Sequence, residues 1–289
     1  MTPRAGSPPA VTVERLERVV ETDAHEGPVY VAEEDALYFT TVRREGVSIK
    51  RLALAEGTVS VVRKDANMAN GMALASDGRL VVCEQGTLAE PARISLVDRL
   101  SGKAETIVED ADGLPLNSPN DVVVAKDGAI WFTDPSYGWL QGFRPQPRVG
   151  DRVYRYDPGV RTLTVVADSL DKPNGLAFSP DESVLYVGDN GAPHHLLAFD
   201  VEGEDRLTGP RELAVSTPEH PDGIKVDAHG RIYATFAGGI QVLEADGDLV
   251  GEIELPGAVN FTFGGPGGNV LYITADTAIW AAVVNAKGA

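Results

Sequence analysis

The chain has 289 residues, a length that one large all-β domain can fill, and its 25 basic against 43 acidic residues leave a net charge of -18. That charge repels a phosphate backbone and removes the counterion-release drive, so nucleic acid is excluded as a partner; the acidity itself reads either as a solvated surface or as a field that attracts cations. The single cysteine, Cys83, excludes an intrachain disulfide and thiolate zinc sites, and its neighbours Val81 and Val82 suggest an inert core position.

Residues 1–10 contain Pro and Gly but no apolar run, which predicts a disordered tail and no signal peptide. No later stretch is long enough to span a bilayer. A soluble cytoplasmic protein without membrane partners, monomeric or weakly homo-oligomeric, is the expectation. Residues 11–289 are expected to form one domain.

An apolar run, VERLERVVE (13–21), comes first and has no partner nearby. Six similar units then follow at a period of about 40 to 50 residues, a signature of propellers and other repeat folds. They start at Glu26, Asn70, Asn120, Asn174, Asp222 and Asn260, and each consists of one polar residue, a short apolar strand, a tight turn and a second strand. The turns SDG, KDG, SPDES and AHG are made of residues that tolerate left-handed backbone. Two more strand-like runs follow in most units, for example RVYRYD (152–157) with TLTVVAD (162–168), and GIQVLEA (239–245) with LVGEIEL (249–255). Four strands per unit make a propeller blade. The last unit has room for three, ending in AIWAAVV (278–284), and the run 13–21 supplies the fourth. The fold class is therefore all-β: a six-bladed β-propeller of four antiparallel strands per blade, closed by the N-terminal strand.

The innermost strand of each blade borders the central channel, so the six leading residues are expected to form a polar ring there. Asn and Asp before a strand also serve simply as turn formers. Every ring member offers oxygen and none offers sulfur or imidazole, which suits a hard cation. Ca²⁺ is the expected cofactor, with Mg²⁺, Mn²⁺ and Zn²⁺ as alternatives. Residues closing the hairpins should surround the channel mouth, among them Thr40, Glu84, Asp134, Tyr137, Asp189, Asn190, Phe236 and Asp276. The sequence GAPHH adds His194 and His195 as rim candidates or simply exposed loop residues, and the insertion 135–151, with Trp139 and Phe143, reads as a lid or as packing on the blade. No P-loop, G-x-S-x-G elbow or HExxH helix is present.

On these residues the chain resembles the SMP-30/gluconolactonase/luciferin-regenerating family. The similar segments are SPNDVVVAKDGAIWFTDPSYG (118–138), EGPVY (26–30), KPNGLAFSPDESVLYVGD (172–189) and PDGIKVDAHGRIY (221–233). The resemblance implies a channel metal, usually calcium, held by Glu26, Asn120, Asn174 and Asp222. Asn70 and Asn260 then become substrate-contact candidates, together with Glu84, Ser118, Asp134, Tyr137, Phe236, His194 and His195. Ser118 stands two residues before Asn120, where sugar-lactonase members of the animal type carry an arginine; this departure argues against carrying over their sugar specificity. The expected activity is opening of a lactone or ester, with Asp222 activating water or attacking directly, and Asn120 orienting substrate. Phosphotriester hydrolysis at the same site, or a noncatalytic propeller tied together by metal, are the alternatives.

Overall fold

The computed structural model describes residues 11–289 apart from 44–45, 193, 204, 216–220 and 237; the expected tail, 1–10, lies outside the described residues. Six four-stranded antiparallel sheets form the blades, over residues 24–63, 69–108, 122–167, 173–215, 224–254 and 260–284. In the last, Val13–Glu21 pairs antiparallel with Ala278–Val284, from Val13 opposite Val284 to Glu21 opposite Ala278. The N-terminal run thus supplies the outer strand of blade six. This covers an edge that would otherwise display unpaired N–H and C=O groups.

The core lies between blades rather than inside one. Tyr38 and Ile49 of blade one pack with Met72, Leu80 and Val82 of blade two, and Cys83 and Ile94 of blade two pack with Phe132 and Tyr154 of blade three. Second strands are therefore covered on both faces. This explains why Ala36–Thr41, Leu80–Glu84 and Ile130–Asp134 read as continuous apolar runs and are buried throughout. Outer strands such as Thr58–Arg63 have one face in water. Burial also pushes the Cys83 thiol well up, in keeping with an inert core position.

Near the axis the blades are stitched together by side chains reaching neighbouring backbone. Thr40 Oγ1 donates to Asn70 O (3.1 Å), Asn70 Nδ2 to Asn120 O (3.0 Å), Thr133 Oγ1 to Asn174 O (2.8 Å) and Thr274 Oγ1 to His25 O (2.6 Å). Two glycines make this close approach possible. A Cβ on Gly71 would strike the backbone of Asn120 and Asp121, and one on Gly175 would strike the carbonyl oxygen of Asp222. The NG dipeptide that opens blades two and four is a steric requirement of the next blade.

Three small elements were not expected. A hairpin of two-residue strands, Asp110–Ala111 and Leu114–Pro115, precedes blade three; a 3-10 turn, Ala32–Glu34, joins the first strands of blade one; and a short helix, Tyr137–Leu140, begins the blade-three insertion.

Candidate active site

A cavity of about 620 Å³ opens at one end of the channel. Glu26, Asn70, Asn120, Asn174 and Asp222 all line it. Glu26 is 4 % exposed, and its Oε2 accepts from Gly27 N (3.1 Å) and from Asn260 Nδ2 (2.8 Å). The Oδ1 atoms of Asn120 and Asn174 are buried and accept no hydrogen bond. An orphaned buried acceptor costs roughly 1–3 kcal/mol until a water, ion or ligand satisfies it, and these two belong to residues that line the cavity.

The carboxyl of Asp222 is held well above the usual carboxylate range, first by burial, then by the facing carboxylate of Glu26 and by Asp121; an N–H of Asn174 works the other way. Two carboxylates forced together with two bare amide oxygens fit a hard divalent cation. No group of three or more His, Cys, Asp or Glu side chains suited to a metal occurs among the described residues. These four side chains offer two carboxylates and two carboxamides, oxygen donors that suit a hard cation better than zinc.

Several expected contacts do not reach the cavity. Asn260 does not line it; its amide is spent on Glu26. Glu84 is fully buried between two arginines, Arg63 (Nη1–Oε1, 2.7 Å) and Arg93 (Nη2–Oε2, 2.7 Å), with Ser95 Oγ donating at 2.6 Å. Asp134 turns inward to accept the backbone N–H groups of Asn117 (2.9 Å) and Ser118 (2.8 Å). Ser118 Oγ donates to Pro135 O and accepts from Gly138 N, so it braces the insertion rather than substrate. His195 starts the third strand of blade four, between Asp189 (3.5 Å) and Glu212 (3.0 Å). His194, in a left-handed turn at φ 67°, is not among the lining residues either. Of the expected rim, Tyr137, Asn190, Phe236 and Asp276 do line the cavity.

The insertion borders the mouth only in part. Tyr137 and Gln141 line the cavity, whereas Trp139 is 45 % exposed and faces solvent. Burial, then the charge of Asp222, raise the Tyr137 phenol well above its ordinary value, against hydrogen bonds from Asn190 and Asn174. The buried guanidinium of Arg144 pins the segment, donating to the carbonyls of Asn117 (3.0 Å), Thr87 (2.9 Å), Glu90 (3.1 Å) and Leu116 (3.1 Å). Arg144→Ala orphans these acceptors; a loss of roughly 2–4 kcal/mol in denaturant unfolding and a raised KM are the expected outcome.

Asp134 provides a pH test. Burial raises its carboxyl, further helped by Asp151 and opposed by the two backbone N–H groups and Arg144, to about 7 from an ordinary 3.8. The folded chain thus holds this proton more tightly than the unfolded chain. Its stabilising contribution is complete below about pH 4 and is lost as pH rises through about 7. Unfolding free energy relative to Asp134→Asn should fall across that window, by at most about 1.4 kcal/mol per pH unit.

His25 and Asp276 form a pair at the rim, Nδ1 to Oδ1 at 2.7 Å. Burial opposes charge on His25, but the Asp276 hydrogen bond and the nearby carboxylates outweigh it and hold the imidazole above its ordinary value. Strict alternation along the strand would turn His25 away from the face that Glu26 uses. Register shifts on both sides of Glu26 break that alternation, so both residues line the cavity. Asp121 was also missed: directly behind Asn120, it is 3 % exposed, with burial raising its carboxyl to about 6.

Fold and site together define a class: six-bladed propellers whose channel presents carboxylate and carboxamide oxygens to a solvent-filled mouth. Comparison with known proteins gives the family. Residues 24–277 match the family profile described as "SMP-30/Gluconolactonase/LRE-like region", and the chain belongs to that family. A gluconolactonase of Zymomonas mobilis is 31% identical over 252 residues, covering 79% of this chain and 68% of that protein. A lactonohydrolase of Aspergillus oryzae is 29% identical over 278 residues, covering 84% of this chain and 62% of its own length, so this chain spans about two thirds of these curated relatives. The solved structure of a gluconolactonase from Xanthomonas campestris superposes with a TM-score of 0.85 at 34% identity, covering 96% of this chain and 95% of that one.

Proposed function

We propose that this protein is a calcium-dependent lactonase. The observation that carries the reading is the convergence of Glu26, Asp222 and the bare Oδ1 atoms of Asn120 and Asn174 at the floor of a cavity large enough for a small cyclic ester. The names of the relatives, a gluconolactonase and a lactonohydrolase, support the substrate class.

Glu26, Asn120, Asn174 and Asp222 would hold the cation. When bound, it polarises the lactone carbonyl and stabilises the charge that develops on its oxygen. Asp222 takes a proton from the attacking water as the water oxygen bonds to the carbonyl carbon. The ring C–O bond then breaks, and the same proton passes to the leaving alkoxide. Asn260 fixes the Glu26 carboxylate, and Asn70 locks the backbone carbonyl of Asn120, so the floor is preorganised before substrate arrives. Tyr137 and Phe236 flank the substrate space.

The test is a hydrolysis screen of aldonolactones, aliphatic lactones and aryl phosphotriesters on calcium-loaded and chelator-stripped protein. Lactone turnover that disappears with the metal and returns on adding calcium is the expected result. Full activity after stripping, or turnover of phosphotriesters alone, would overturn the reading.

A further inference from the structure

Among the described residues lining the cavity, Arg43 is the sole arginine or lysine, against three carboxylates, Glu26, Asp222 and Asp276. It follows the second strand of blade one, Ala36–Thr41, and is exposed at the mouth. Its guanidinium carbon lies 4.6 Å from the ring centroid of Phe143, and its Nη1 lies 3.5 Å from Gln141 Oε1. Both partners belong to the blade-three insertion, so the side chain runs along the rim past blade two. The aromatic face orients the guanidinium plane, while a contact of 3.5 Å is at the limit of a hydrogen bond and leaves the N–H edge available. No carboxylate among the described residues pairs with it, in contrast to Arg51, Arg63 and Arg93.

Charge accounting gives this arginine a role. A dication held on the floor would neutralise Glu26 and Asp222, and Asp276 is engaged by His25. Among the described residues lining the cavity, Arg43 is then the charge that no neighbour neutralises. A planar guanidinium with a free edge is suited to a two-oxygen anion.

We infer that Arg43 is a specificity-determining residue that docks a second, anionic group of the substrate, a carboxylate, sulfonate or phosphate remote from the reacting carbonyl. The preferred substrates are acidic lactones. This rests on the lactonase reading for the reaction, though not for the binding.

The experiment compares kcat/KM of the calcium-loaded full chain on a carboxylate-bearing lactone and on its neutral carboxamide, in wild type, Arg43→Gln and Arg43→Lys. The acid-to-amide ratio is expected to fall about 10- to 100-fold in Arg43→Gln, with Arg43→Lys in between because it keeps the charge but not the fork. An unchanged ratio, or both substrates falling together, overturns the inference. If wild type opens neither lactone, the lactonase reading fails on its own, and calorimetric titration with the ring-opened dianion of the acidic lactone decides about Arg43. Weaker binding in Arg43→Gln supports the role; equal binding, or none to wild type, rejects it.

Discussion

Asp222→Asn is expected to lower lactone kcat by about 100- to 10,000-fold, the range lost with a general base, while the six blades stay folded. The carboxamide keeps the shape of the side chain and cannot take a proton from water. Its effect on stability should have the opposite sign. In the metal-free chain Asp222 faces the Glu26 carboxylate under heavy desolvation, and the substitution removes that repulsion. Chelator-stripped Asp222→Asn should therefore melt above chelator-stripped wild type. A variant that keeps turnover, or one that melts below the stripped parent, would show that Asp222 has a different role.

Calcium itself is expected to produce the second large effect. Ligand at about 100 times its Kd adds about 2.7 kcal/mol to the folded state, which for a chain of this size raises Tm by roughly 4 to 5 °C. Differential scanning calorimetry of stripped wild type with and without calcium measures it directly. Asp222→Asn, lacking one of the two carboxylates, should gain much less from the same addition. No calcium-dependent shift in wild type would argue that the two bare amide oxygens serve some other ligand.

The architecture was legible because a propeller writes itself repeatedly. Six polar residues before six hairpins, Gly at turns such as that of Gly128 at φ 88°, and a leftover strand at each end all point to one closed ring. The cavity floor was legible for the same reason, since Glu26, Asn70, Asn120, Asn174 and Asp222 occupy equivalent places in different blades. The rim was legible only in part: Tyr137, Asn190, Phe236 and Asp276 close their hairpins or insertion where the repeat places them, and they line the cavity. His25 and Arg43 were missed, because His25 depends on a local break of strand register and Arg43 on a partner about a hundred residues away. Glu84 was misplaced because its two arginines stand on other strands, Arg93 in its own blade and Arg63 on the outer strand of blade one, and nothing near it in sequence reveals that they neutralise it. His195 was misplaced for a similar reason, being engaged by Glu212 on the adjoining outer strand.

The glycines beside the ring residues have a consequence for how the site can change. At Gly71 and Gly175 the inner strand already approaches the main chain of the next blade, Asn120 and Asp121 in one case and Asp222 in the other, and at Gly71 the Asp121 carboxyl also occupies the space a side chain would need. The aperture of the channel is thus a main-chain dimension. Substitutions at Arg43, Gln141 or Phe236 can reshape the mouth without altering that aperture. The mouth is in this way adjustable by single substitutions, while the spacing of the inner strands is not.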